Sequence, residues 1–255
     1  MMKIQYASDL HLEFPDNSAL LQREPLEVAG DVLVLAGDIH VLDAIEPAQI
    51  PFLQWCSQHY KRTFIVPGNH EYYFGHDLAT TLHDWEMPVL PGVSFINNRS
   101  IVIGDTELFF TTLWSRIPPQ DEILVNRHLN DCHRMVYREQ PFQACHYGEV
   151  HQLCLDWLDA TLRASTAAHR VVVTHHCPIV LEDPRYESNG LTWAFVVPLE
   201  RFIESHHIDH WIFGHTHYNG GRGLTVGNTT LHTNQLGYVK VGIEAGFATN
   251  AIISL

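Results

Sequence analysis

Five times along this chain a short apolar run stops at a cluster of Asp, Asn or His, and that repetition restricts the fold more than any other feature. Lys3–Ala7 runs into Ser8-Asp9-Leu10-His11, and Val32–Ala36 into Gly37-Asp38. Thr63–Val66 is followed by Pro67-Gly68-Asn69-His70-Glu71, Val171–Thr174 by His175-His176, and His210–Phe213 by Gly214-His215-Thr216-His217. Uninterrupted apolar runs of four or five residues read as strands covered on both faces, which is what helices packed on a sheet produce. An α/β fold is therefore expected. Ligands of α/β sheets bind beyond the carboxyl ends of the strands. If these strands are parallel neighbours, the five clusters meet in one pocket.

The intervals predict helices at Ile50–Lys61, Asp77–Trp85 and Leu199–His207, the last headed by Pro198. Between Gln143 and Arg163 the residues Val150, Cys154, Trp157, Leu158, Thr161 and Leu162 recur at three- and four-residue steps, as a core-facing helical stripe does. From Gly220 onward, β-branched runs at Leu224–Val226, Thr229–Thr233 and Ala248–Ile253 predict antiparallel strands and tight turns. Ser115–Pro141 and Leu181–Pro198 are the least regular stretches, and connections of that length are commonly functional or mobile. No repeat or linker interrupts the 255 residues, so one domain spanning 1–255 is expected.

Several functional classes are disfavoured at once. No stretch reaches the ~18 apolar residues of a membrane helix. The start, MMKIQYASDLHLEF, lacks the apolar core of a secretion signal. Five cysteines without a CxxC pair fit reduced thiols, hence a cytoplasmic protein, better than a disulfide framework. A net charge of −14 gives no basic footprint for long nucleic acid.

Each polar cluster makes sense as part of a metal site. Asp9 and His11 are two apart, so continuing the strand alternation would put both on one face, and His215 and His217 repeat that spacing. Asp38 follows a glycine that permits a sharp turn, and its two carboxylate oxygens can bridge two cations. Asn69 offers a carbonyl oxygen and His175 an imidazole. Mixed nitrogen and oxygen donors without thiolate suit Mn, Fe, Co, Ni or Zn better than Ca or Mg. Seven donors exceed what one tetrahedral zinc takes, and they suit two divalent ions about 3.5–4 Å apart. Two such ions with two carboxylates and a hydroxide leave a centre of about +1 by formal addition, attractive to a small phosphate ester.

Taken in this order, Asp9-x-His11, Gly37-Asp38, Gly68-Asn69-His70-Glu71, His175 and Gly214-His215-x-His217 resemble the five blocks of the calcineurin-like metallophosphoesterase superfamily. The resemblance implies a four-layer α-β-β-α sandwich of two mixed β-sheets flanked by helices. It implies that Asp9, His11, Asp38 and His217 hold one metal and Asp38, Asn69, His175 and His215 the other, with Asp38 bridging. His70 matches the family's non-ligand histidine, which assists the leaving group while a metal-bridging hydroxide attacks phosphorus. Glu71 stands where many members have Asp. GNHEYY, the TTLW run at Thr111–Trp114 and THH-x-P are similar to small bacterial members.

Other histidines invite plainer explanations. His176 is expected to line the pocket rather than replace His175 as a ligand. His146, Glu149 and His151 are expected on a solvated face, and His206, His207 and His210 at a helix end near solvent. Asn130-Asp131-Cys132-His133-Arg134 could line the entrance, with Arg134 on a phosphate oxygen, or be an ordinary surface loop. GxSxG, GxxxxGK[ST] and HExxH motifs are absent. The alternative to an enzyme is a phosphoesterase-like scaffold that binds a protein partner without catalysis, but such a scaffold is expected to have lost ligands.

Overall fold

A computed structural model describes residues 2–43, 46–181, 183–185 and 189–255. Its strands are β1 (Lys3–Ala7), β2 (Val32–Leu35), β3 (Arg62–Ile65), β4 (Trp85–Leu90), β5 (Val93–Asn97), β6 (Arg99–Ile103), β7 (Thr106–Thr111), β8 (Val136–Tyr137), β9 (Gln140–Pro141), β10 (His169–Thr174), β11 (His210–Phe213), β12 (Thr225–Val226), β13 (Thr229–Thr233) and β14 (Ile252–Ser254). Two six-stranded sheets form, ordered β14-β1-β2-β3-β5-β4 and β12-β13-β11-β10-β7-β6. In each, four inner strands are parallel and an antiparallel strand closes either edge.

Alternation along the strands builds the layers. Val32 and Val34 of β2 join Ile4, Phe64, Phe110, Val173 and Ile212 in a core between the two sheets. The intervening Leu33 and Leu35 face outward to Leu21, Phe52, Leu53 and Cys56 of helices α1 (Pro15–Arg23) and α2 (Pro51–His59). On the second sheet, Phe109, Val172 and Trp211 pack outward against Leu158, Leu162 and Ile203. The runs are apolar throughout because each side faces a different core. The result is the α-β-β-α sandwich of two mixed sheets.

Helix α3 (Glu122–His128) and helix α4 (Asp131–Arg134) lie, with the β8–β9 hairpin, in the stretch expected to be least regular. The Asp77 carboxylate caps that hairpin's turn by accepting from Arg138 N at 2.9 Å and Glu139 N at 2.8 Å. Helix α5 (Ala144–Ala164) carries the expected stripe, and α6 (Glu200–Ser205) follows Pro198. His146 accepts from the Gln143 N–H at the start of α5, and His151 is buried with Nδ1 donating to Leu113 O at 2.9 Å. A solvated face is therefore wrong for His151, which closes a backbone carbonyl left unpaired beyond β7.

The helix expected over Asp77–Trp85 is not formed. Asp77 accepts from Ala79 N and starts a 3-10 turn at Leu78–Thr81, but Trp85 then opens an edge strand. Pro88 is tolerated there because an edge strand can spare an N–H. The last strand starts at Ile252 rather than Ala248; β12–β13 and β14–β1 pair antiparallel as expected of the tail, while β13 also pairs parallel to β11. Of Leu181–Pro198, residues 182 and 186–188 lie outside the described residues; a 3-10 turn spans Thr192–Ala194.

Candidate metal centre

The carboxyl ends of β1, β2, β3, β10 and β11 lie at one edge of the paired sheets, and the polar clusters leave from them. Among the described residues, Asp9, His11, Asp38 and His217 place donor atoms within 4.8 Å of one another, as do Asp38, His175 and His215. Asn69 Oδ1 lies 3.1 Å from His175 Nε2, which is itself 3.4 Å from Asp38 Oδ1. All seven predicted donors are brought together, with Asp38 common to both groups. His176 stands behind them, its ring 4.3 Å from that of His215 and its Nδ1 toward Thr112 O.

Convergence is achieved by turns rather than by strand alternation. Asp9, His11, Asp38, His215 and His217 all have positive φ, between 46° and 70°. Each strand has ended, and the left-handed corner swings the side chain inward. A Cβ on Gly37 or Gly68 would collide with the His175 imidazole, so the motif glycines make room for a ligand. The Asp9 carboxylate is fixed by accepting from Ser8 Oγ and the His215 N–H.

The two halves of the site are held in register by Glu71. Its carboxylate, buried completely, accepts from Asp38 N (3.0 Å), Ile39 N (2.7 Å), His40 N (3.3 Å) and Gly68 N (2.7 Å). One side chain thus ties the Asp38 corner to the Asn69 corner. Burial pushes Glu71 up to about 7, opposed by the N–H bonds from Ile39 and Gly68.

The donor set fits divalent cations. Each buried imidazole spends one nitrogen on a partner and aims the other inward: His11 Nδ1 on Glu13, His175 Nδ1 on Ala36 O, His215 Nε2 on Ala194 O. Burial pushes all three imidazoles down, His11 and His215 to about 4, so they are neutral donors at pH 7. His11 Nε2 and His217 Nε2 face each other at 2.9 Å, with Asp9 Oδ1 3.3 Å from His217 Nε2, so these donor atoms converge on one point. Asp38 is pushed well up by burial and by the Glu71 and Asp9 carboxylates, an excess of negative charge that bound cations would reverse.

Three residues outside the predicted set complete the arrangement. Glu13 Oε1 accepts from His70 Nδ1 at 2.7 Å and from His11 Nδ1 at 3.2 Å. Burial pushes Glu13 up, but those two bonds outweigh it and bring it down to about 2. Its position two beyond His11 repeats the step from Asp9 to His11, a signal the sequence carried. Asp131 accepts from Asn69 Nδ2 (2.8 Å), Tyr73 OH (2.7 Å) and Tyr147 OH (2.5 Å), which turns the Asn69 carbonyl toward His175. Tyr238, from a tail with no local motif, packs on the His11 and His217 rings, with its hydroxyl 3.5 Å from His70 Nε2. Arg134 is exposed and lies over Phe74 and over Tyr73, which lines the cavity, without lining the cavity itself. His206 bonds back to Phe202 O beside Asp159, and His210 pairs with His232 at 3.0 Å, both remote from this centre.

A cavity of about 720 Å³ adjoins the donors, its lining including Asp38, Asn69, His70, His215 and His217.

Uncharacterized protein L509 of Acanthamoeba polyphaga mimivirus is 26% identical over 264 residues, spanning 93% of this chain and 92% of its own length. The phosphopantetheinyl hydrolase of Mycobacterium tuberculosis superposes with a TM-score of 0.63 at 15% identity, over 93% of this chain and 90% of that one, and so shares the fold. Residues 2–219 match the sequence profile of the calcineurin-like phosphoesterases, and with the five motif blocks meeting at one sheet edge, the chain belongs to that family.

Proposed function

We propose that the protein is a hydrolase of phosphomonoesters or phosphodiesters that depends on two divalent transition-metal ions. The observation that carries this reading is the meeting of seven neutral or anionic donors beside a cavity that also exposes His70. Asp9, His11, Asp38 and His217 would hold one ion, and Asp38, Asn69, His175 and His215 the other. When bound, such ions neutralise phosphoryl oxygens and lower the pKa of a coordinated water towards ~7. Mn, Fe, Co, Ni and Zn all accept this donor set.

The chain's own residues supply orientation and a proton. Glu13 holds the His70 Nδ1 proton, so Nε2 is the nitrogen that faces Asp38 Oδ2 at 4.0 Å and the cavity. A proton carried on that Nε2 can pass to the departing alkoxide, a step worth ~10²–10⁴-fold. Tyr73 and Tyr238 pack on the His70 ring and limit its rotation. A small ester suits the acidic surface better than a long nucleic acid. We assign residues 1–255 to one domain, and five free cysteines support a reducing, cytoplasmic setting.

The test pairs two variants on bis-p-nitrophenyl phosphate and p-nitrophenyl phosphate with Mn²⁺, Ni²⁺ or Zn²⁺. Asp38→Asn should lose metal and turnover together, whereas His70→Ala should keep the metal and lose turnover. An Asp38→Asn protein as active as wild type sinks the assignment.

A further inference from the structure

We infer that the ester cleaved here has an apolar, uncharged alcohol part, selected by apolar side chains of the cavity beside the metal donors. This rests on the hydrolase reading above and names its substrate class. The cavity is of ligand size, about 720 Å³. Its lining includes Leu129, Val180, Leu181, Leu191, Phe195 and Val196, with Phe195 stacked on the His215 ring. Val180 is 43% exposed, an apolar side chain left uncovered at the cavity wall.

Charge separates the candidate substrates. Among the described residues, the cavity lining contains neither Lys nor Arg, and its carboxylates are Asp38, Asp131 and Asp183. Asp131 has both oxygens engaged by Asn69, Tyr73 and Tyr147. The nearby Arg185 guanidinium is spent on Asp183, Glu244 and the His217 carbonyl. Among the described lining residues a second phosphate or a carboxylate on the alcohol would meet His128 but no Lys or Arg, a poor exchange for its hydration. Alkyl or aryl groups meet surface that gains by being covered. The same apolar side chains that favour a lipid-like or aryl alcohol thus disfavour nucleoside polyphosphates.

The experiment uses n-alkyl p-nitrophenyl phosphates from methyl to octyl, which keep the leaving group constant, on the metal-loaded protein. The kcat/KM should rise about threefold to fourfold per methylene until the wall is covered. An ω-carboxyalkyl ester of equal length should be at least tenfold poorer than its methyl-ended partner. Calorimetry with non-hydrolysable n-alkylphosphonates reads the wall without turnover, and affinity should climb along the same series. Val180→Lys should flatten both series and improve the ω-carboxy compound. Turnover that ignores chain length overturns the inference and leaves the hydrolase standing. Chain-dependent phosphonate binding with no turnover of any ester does the reverse. Absence of both removes both.

Discussion

Replacing Glu71 by Gln tests whether a single carboxylate holds the two halves of the metal centre together. Both oxygens are used: Oε1 by Ile39 and His40, Oε2 by Asp38 and Gly68. A glutamine keeps one acceptor oxygen, and its NH₂ must confront the other pair donor to donor. Two buried N–H groups are then orphaned at about 1–3 kcal/mol each, giving about 2–6 kcal/mol in all. Against a whole-domain stability of about 5–15 kcal/mol that is a large share. Because Oε2 joins the Asp38 corner to the corner before Asn69, losing that acceptor should also weaken metal binding. Urea denaturation of metal-free protein reads the first effect, and calorimetric titration with Mn²⁺ the second. If Glu71→Gln matches wild type in both, the carboxyl is held as the neutral acid, for which glutamine is a near copy, and the ionic clamp is wrong.

Asp131→Ala leaves Asn69, Tyr73 and Tyr147 without their common acceptor, so metal affinity should fall about 10–100-fold, measured by competition with a chromogenic chelator. Exhaustive chelation should lower the melting temperature and re-addition of metal restore it, since binding at 100 times Kd stabilises by ~2.7 kcal/mol. Burial, with His210 and Arg222 nearby, pushes His232 down to about 4. The unfolded chain takes up that proton near pH 6.5 and the folded one only near 4. Stability is therefore whole above pH 6.5 and is lost as pH falls towards 4, by at most about 3 kcal/mol. In a His232→Gln protein the fall between those pH values should be shallower, and an unchanged slope in urea midpoints would contradict the assignment.

Much of the centre was legible because its residues sit where strands end, and strands covered on both faces are conspicuous. Val32–Ala36 and Val171–Thr174 could hardly be anything else. The strands β4 to β7 were harder: Trp85–Leu90 contains Pro88, and Arg99–Ile103 is half-covered and closes an edge, so neither shows an uninterrupted apolar run. The short motif spacing pointed to the right residues for an incomplete reason. Asp9 and His11 were expected to share a strand face, whereas the chain turns a left-handed corner at each. Asp131 and Tyr238 act through contacts with residues 62 and 168 positions away, which no local pattern encodes.

Those corners decide which substitutions the site survives. A left-handed backbone is tolerated by glycine and, among side chains, best by asparagine and aspartate, while β-branched residues resist it. Asparagine at position 9 or 38 should therefore keep the bend while removing the anionic ligand, giving an intact protein emptied of its chemistry. Valine at the same places would unpick the loop itself. Randomised libraries at these two positions, sorted for soluble protein alone, should return amide and glycine codons in preference to branched ones.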